Sequence, residues 1–228
     1  MIPPLIVQEA LERGIQVLAI CDHNASGNIA SVQKAAEGTS LTVLPGMELQ
    51  TKEEVHLICL FDTLDQIAAW QARVDQALPA IANRPQFFGE QYLVDETGDF
   101  IANEQRLLVV SADISLDQAV QEVVRLGGLP IPAHVDRRTN GLIANLGFIP
   151  PDLQVEALEI SRHTTPSDAR RKFPQLKDFP LLQNGDAHRL NELLGVNEFL
   201  IEAPTIVEIR RALKNLDGRR FRILKELV

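Results

Sequence analysis

The sequence predicts an α/β fold in which short parallel strands close into a barrel, and three observations carry that prediction. Runs that are apolar throughout alternate with amphipathic helical stretches, the pattern of a parallel sheet covered on its outer face. About six such units occur, which favours a barrel over an open sheet. The histidines stand in or at the ends of those apolar runs, four of them with acids nearby in sequence or in the same pattern, and a parallel barrel gathers its chemistry on the rim where strands end.

Taken in order, Pro3 to Arg13 reads as a helix with prolines in its first turn and Gly14 as its stop. Ile15 to Cys21 is a continuous apolar strand. Ser26 or Asn28 caps a helix running to Glu37, closed by Gly38. Leu41 to Leu44 is a short strand ended by Pro45-Gly46, and Val55 to Phe61 is another. Thr63-Leu-Asp-Gln66, Ser115-Leu-Asp-Gln118 and Thr205-Ile-Val-Glu208 have the form of capping boxes, in which two side chains satisfy free N–H groups reciprocally. They open helices reaching Ala82, Gly127-Gly128 and Gly218. Further strands are expected at Leu129 to Ala133, Val155 to Ile160, Pro180 to Gln183 and Phe199 to Glu202. Arg84 to Val110 breaks the alternation. Its Glu96-Thr-Gly-Asp99 reads as a hairpin turn, so residues 84–110 form an insertion in a single domain spanning 1–228.

The 228 residues carry a net charge of -9, which argues against binding long nucleic acid through a basic surface. A small anion held in a locally positive pocket remains compatible with an acidic chain. Cys21 and Cys59 lie in apolar runs and no CxxC occurs, so they read as buried thiols of a reducing, cytoplasmic compartment. No apolar stretch approaches the roughly 18 residues of a membrane span. The opening Met1-Ile-Pro-Pro-Leu-Ile has no charged segment of an export signal.

The chemistry concentrates in His23, Glu48, His56, His134, Asp186 and His188, with Asp22 beside the first of them. Glu48 follows Pro45-Gly46, where a bend would turn its carboxylate over the barrel mouth. Imidazole and carboxylate together suit zinc, manganese or iron, whereas an all-oxygen set would suit magnesium or calcium. His163 also ends an apolar run but lacks an acidic companion. Arg137 and Arg138 follow His134, Arg162 follows the run ending at Ile160, and Arg189 follows His188. As a group they favour an anionic substrate, because forked guanidinium donors match phosphate oxygens.

Asp22-His23-Asn24, Pro45-Gly-Met-Glu48, Val55-His56, Pro132-Ala-His134 and Gly185-Asp-Ala-His188, in that order, resemble the PHP (polymerase and histidinol phosphatase) domain of metal-dependent phosphoesterases. The resemblance covers nearly the whole chain. It implies a distorted (β/α)7, TIM-like barrel with up to three divalent ions at one rim. Glu48 would bridge two ions, His56 and His134 would complete one, His23 and His188 would hold another, and Asp186 would serve the ion beyond Glu48. PHP domains open with a strand bearing a His-x-His pair, and no histidine precedes His23 here. The expectation is therefore a missing first strand, a chain starting downstream of its true beginning, and fewer ions than the family holds. A missing strand also leaves edges open to pairing with another copy.

The implied reaction is hydrolysis of a phosphate ester by a metal-activated hydroxide. Its site would include Asp22, His23 and His188 as catalytic groups, with Asp22 orienting a ligand. The expected partner is a small phosphorylated compound or short nucleotide, with no long nucleic acid and no membrane. The alternative is a non-catalytic, structural or regulatory module of the same type with a partial metal site. An amidohydrolase-type enzyme ranks lower, since no lysine occupies a strand end here.

Overall fold

The computed structural model describes residues 1–224. Its elements run α1 (Pro3–Glu12), β1 (Val17–Ile20), α2 (Ile29–Ala35), β2 (Thr42–Gln50), β3 (His56–Leu60) and α3 (Leu64–Ala77). A short α4 (Pro85–Phe88) then leads into the hairpin β4 (Tyr92–Val94) and β5 (Phe100–Asn103), followed by α5 (Leu116–Arg125), β6 (Leu129–Pro132) and α6 (Leu142–Leu146). The chain closes with β7 (Leu158–Ile160), α7 (Pro166–Lys172), β8 (Leu181–Gln183), β9 (Asn197–Leu200), α8 (Ile206–Leu213) and β10 (Arg220–Ile223). No helix among the described residues is long and apolar enough to cross a membrane.

Helix starts follow the capping chemistry. Thr63 and Ser115 each take the N–H of a glutamine three residues on, and that glutamine's side chain returns a bond to the cap backbone. Thr205 closes only half of its box. It accepts from Glu208 N, while the Glu208 carboxylate takes the N–H of Glu202 at 3.0 Å instead. Helix α3 stops at Ala77, short of Ala82, because Leu78 precedes Pro79 and is extended (φ -75, ψ 129). A residue before proline is pushed out of the helical region by the pyrrolidine ring.

The sheet departs from the all-parallel expectation. Its four-stranded part has the order β1-β2-β3-β6, with β1 parallel to β2 but β3 antiparallel to both neighbours. Only residues 51–55 separate β2 from β3, whereas a parallel return needs a crossover of about a dozen residues or more. A hairpin is the only connection that length permits. Strands β7 and β8 form a parallel pair, β9 and β10 an antiparallel one. Just past β6, Val135 N–H donates to the Glu159 carbonyl at 2.8 Å, which places β7 next in line. Among the described residues the strands do not form a closed TIM-like barrel.

The expected bend at Pro45-Gly46 is also absent, since β2 runs straight through it. Pro45 lacks an N–H but still accepts from Phe61 N at 2.8 Å, so the strand keeps its pairing. Gly46 is required by crowding: a Cβ there would stand 2.6 Å from Cys21 Sγ and 2.8 Å from the Ile20 carbonyl oxygen. Both cysteines are free, and burial pushes both thiols up.

Two faces of the sheet carry separate cores. Met47, Leu49, Leu57 and Cys59 pack against Ile67, Trp70 and Val74 of α3 and Ala119, Val120 and Val123 of α5. On the opposite face Leu44, Leu129, Ile131 and Leu182 meet Ile206, Ile209 and Leu213 of α8. Each fully buried leucine-sized side chain is worth about 1.5–3 kcal/mol. Helices α1 and α2 cover the end of the sheet through Ile6, Ala10 and Val32 against Leu41 and Val43. Strand alternation puts Glu48 on the Leu44 face, and His56 on the face of Ile58.

Helix α8 is anchored by Glu208. Its carboxylate accepts from Arg219 Nε at 2.8 Å and Arg211 Nη1 at 2.8 Å. The Arg219 bond, helped by the Glu202 N–H and Arg211, holds the acid down from 4.5 to about 2. A carboxylate depressed on folding stabilises the native state above its unfolded pKa and loses that contribution as pH falls. The thermal midpoint of the wild type should therefore exceed that of Glu208→Gln at pH 7, and the gap should close between about pH 4.5 and 2 in melts followed by circular dichroism.

Candidate metal centre

The β2–β3 hairpin and the end of β1 assemble the centre. His23, just beyond β1, forms a parallel bridge with Glu48 of β2. The ladder there is Glu48 N to Asp22 O at 3.1 Å and Asn24 N to Glu48 O at 3.0 Å. His56 opens β3, and because β3 is antiparallel its first residue, not its last, arrives at this rim. The result brackets one carboxylate between imidazoles: His23 Nδ1 stands 3.2 Å from Glu48 Oε2, and His56 Nδ1 3.2 Å from Oε1. His134 Nδ1 lies 3.9 Å from the same Oε1. Donor atoms of His23, Glu48 and His56 all fall within 4.8 Å of one another.

Two positions reach the site through strained backbone. His134 has φ 30 and Asp186 φ 47, in the left-handed region that non-glycine residues enter at a cost. For His134 this ends the strict alternation of β6, which would otherwise send its ring away from the Leu129 and Ile131 face. Its carbonyl accepts from Arg137 N at 2.9 Å, a turn that starts the 137–140 segment. Asn140 then supplies its carbonyl to His56 N at 3.0 Å.

Around these groups opens a cleft of about 370 Å³ lined by all the expected ligands, His23, Glu48, His56, His134, Asp186 and His188, together with Arg137, Arg138, Thr139 and Asn140. His188, with its side chain 66% exposed, stands at the mouth, its ring centroid 6.1 Å from that of His23. The 185–192 loop is held by Glu192, whose carboxylate accepts from His188 N at 2.8 Å and Arg189 N at 3.0 Å. Gly185 has no room for a side chain, since a Cβ would meet the Glu192 carbonyl oxygen at 1.9 Å. Arg137 bonds the Asp186 carboxylate at 2.5 Å.

Three expected site residues lie outside the cleft lining. Asp22 turns its carboxylate to Asn28 Nδ2 at 3.3 Å, and burial pushes that carboxyl up despite the bond. Arg162 pairs with Glu192 at 3.0 Å, and Arg189 gives its backbone N–H to the same acid. The His56 ring centroid stands 5.2 Å from that of His23 and 5.2 Å from that of His134, between the two.

Two residues outside the expected ligand set help build the site. Asn24, fully buried, donates to the carbonyls of Leu108 and Val110 at 2.7 Å each and accepts from Gln50 N at 3.0 Å. It ties the peptide after His23 to β2 and to the segment leaving the hairpin. Glu159 of β7 is only 2% exposed, and its Oε1 accepts from His134 N at 3.1 Å. The signal for Glu159 was present: one acid inside the apolar run Ala157-Leu-Glu-Ile160.

The donor set fits a divalent cation. His23 Nδ1 and both ring nitrogens of His56 and His134 are buried without a hydrogen-bond partner of proper geometry, and such groups are costly unless something satisfies them. Burial pushes the Glu48 carboxyl up, but the facing His56, His23 and His134 rings more than reverse this and leave it at about 2. Burial lowers His23, which favours the neutral ring with a free lone pair. Ionised oxygen and neutral nitrogen donors are the mixture that zinc, manganese and iron accept.

No protein-family model matches the chain. Over 224 residues it is 23% identical to YqxK, an uncharacterised protein of Bacillus subtilis, covering 95% of this chain and 56% of that protein. Among solved structures it is similar to EndoQ, a lesion-specific endonuclease of Pyrococcus furiosus, with TM-score 0.68, 19% identity, and 97% of this chain against 53% of the endonuclease. Endonuclease Q in complex with a 27-mer duplex substrate, an abasic lesion at its active site, gives TM-score 0.66 at 19% identity, over 96% and 53% of the two chains. A two-domain Bacteroides vulgatus protein containing a predicted PHP-like metal-dependent phosphoesterase gives 0.54 at 12% identity, over 98% and 61%. The chain spans little more than half the length of YqxK and of the endonuclease. These likenesses show a fold shared with PHP-like phosphoesterases, the resemblance already carried by the ordered motifs.

They also overturn one expectation. A protein of this fold takes a long duplex, so a net charge of -9 is no ground for excluding long nucleic acid. Net charge is a sum over the whole surface, while a duplex meets a local one, and arginines stand at this cleft.

Replacing Asn24 by alanine strands two carbonyls and one N–H in the interior. Asn24→Ala should lower unfolding free energy by about 3 kcal/mol in urea titrations, with the loss traced by hydrogen exchange to residues 106–110 and the end of β2.

Proposed function

We propose that this chain is the hydrolytic domain of a metal-dependent phosphoesterase, a single unit with residues 84–110 inserted in it. The observation that supports this best is Glu48, a carboxylate 7% exposed and flanked at 3.2 Å by two imidazoles whose facing nitrogens have no other partner. His23, Glu48, His56 and His134 would hold the inner cation, and Asp186 and His188 would complete the set at the mouth. A divalent cation bound there supplies Lewis acidity, polarising a phosphoryl oxygen and lowering the pKa of water.

The remaining work falls to the chain itself. Arg137 and Arg138 present guanidinium forks at the cleft and hold the phosphoryl oxygens. Asp22 acts through structure: its carbonyl accepts from Glu48 N at 3.1 Å and fixes the strand that carries the carboxylate. Arg162 acts through Glu192, which pins the backbone of His188. The duplex substrate of Endonuclease Q puts nucleic-acid phosphodiesters first among the esters to test, ahead of small phosphomonoesters. A second reading, a non-catalytic module with a partial centre, is favoured by one contact. The Asp186 carboxylate is already taken by Arg137.

Hydrolysis of a phosphomonoester, of a simple phosphodiester and of a duplex containing an abasic site, each with manganese and with zinc, separates these readings. The expected result is turnover abolished by chelator, restored by metal, and reduced by at least about 100-fold in Glu48→Gln and His134→Ala. A folded protein that binds metal but turns over none of the three would favour the non-catalytic reading.

A further inference from the structure

Glu159 is the buried ionisable group that the reaction above leaves without a task. It is 2% exposed in β7, and among the described residues it pairs with no lysine or arginine. A buried carboxylate without a partner is strongly destabilising, so its surroundings should explain its presence. Those surroundings are a polar chain across four strands. From β9, Asn197 Nδ2 donates to Asn184 Oδ1 at 2.8 Å, and Asn184 Nδ2, just past β8, donates to Glu159 Oε2. Glu159 Oε1 then takes the backbone N–H of His134 at 3.1 Å and stands 3.6 Å from that residue's ring Nδ1.

We propose that Glu159 is the positioning residue of His134. Oε1 of this carboxylate, whose other oxygen Asn184 holds, does two things. It caps the N–H of a residue held at φ 30, stabilising a backbone that would otherwise relax, and it fixes the ring. With the Nδ1 side of the ring turned to the carboxylates of Glu159 and Glu48, the proton of the neutral imidazole belongs on Nδ1. The lone pair then falls on Nε2. Neither ring nitrogen has a hydrogen-bond partner in the protein, and Nδ1 is the one that faces carboxylate oxygens, at 3.6 and 3.9 Å. A carboxylate behind an imidazole is the usual way to fix the tautomer and raise the basicity of a metal-binding histidine. The role rests on the metal-dependent reading given above, and it adds a residue to that site.

The test compares wild type with Glu159→Gln, which keeps an acceptor for the His134 N–H but removes the charge. Nitrogen-15 NMR of the metal-free proteins should show His134 as the Nδ1–H tautomer in the wild type and a mixture in the variant. By calorimetry the manganese dissociation constant should rise about 10–100-fold. Asn184→Ala, which frees Glu159 Oε2 and removes one acceptor of Asn197 but leaves the Oε1 contacts in place, should shift both quantities in the same direction by less. Unchanged tautomer and unchanged affinity in a folded Glu159→Gln overturn the proposal. Should that variant not fold, the same result in Asn184→Ala overturns it. A wild type that takes up no divalent cation would sink the metal-dependent reading, and the tautomer measurement would still decide the role of Glu159.

Discussion

Everything at this site depends on keeping the Glu48 carboxylate ionised where water scarcely reaches it. Neither Glu48 nor Glu159 has a lysine or arginine partner among the described residues; imidazoles face Glu48, and an amide, a backbone N–H and one imidazole surround Glu159. Burying a charge costs several kcal/mol after relaxation. Here that cost is offset by rings that strand pairing holds in place, not by flexible cations. The apolar face of Leu44, Leu129 and Ile131 lies along the same strands, and the register that packs it also brings His23 and His56 to Glu48.

Much of the site was legible in the sequence because its ligands sit where apolar runs stop. The cleft gathers His23, Glu48, His56, His134, Asp186 and His188, residues that span positions 23 to 188. What the pattern could not supply was direction. An apolar run reads the same in parallel and antiparallel strands, so β3 was expected to run the wrong way. The short 51–55 link held that information, since connection length is a harder constraint than composition. The Pro45-Gly46 pair misled for a related reason. It usually marks a turn, but here a neighbouring sulfur needs the glycine and the proline keeps its acceptor.

Charge was the least transferable clue. A whole-chain value of -9 says little about a cleft edged by Arg137 and Arg138, and a duplex-binding protein shares the fold. Arg162 and Arg189 show the converse. Their places after strand and loop suggested the rim, yet both serve Glu192 and so act on the loop that carries His188. Arg162 does so through its guanidinium, Arg189 only through its backbone N–H.

The tight link between β2 and β3 bears on the order in which the molecule assembles. Closing a loop of a few residues costs little chain entropy, whereas bringing Asp186 and His188 to Glu48 means closing one of well over 100 residues. The hairpin that sets Glu48 beside His56 is therefore a local structure, formed with low contact order, and the outer half of the centre is a late arrival. A nascent chain would carry two of its donors paired before the mouth of the cleft exists.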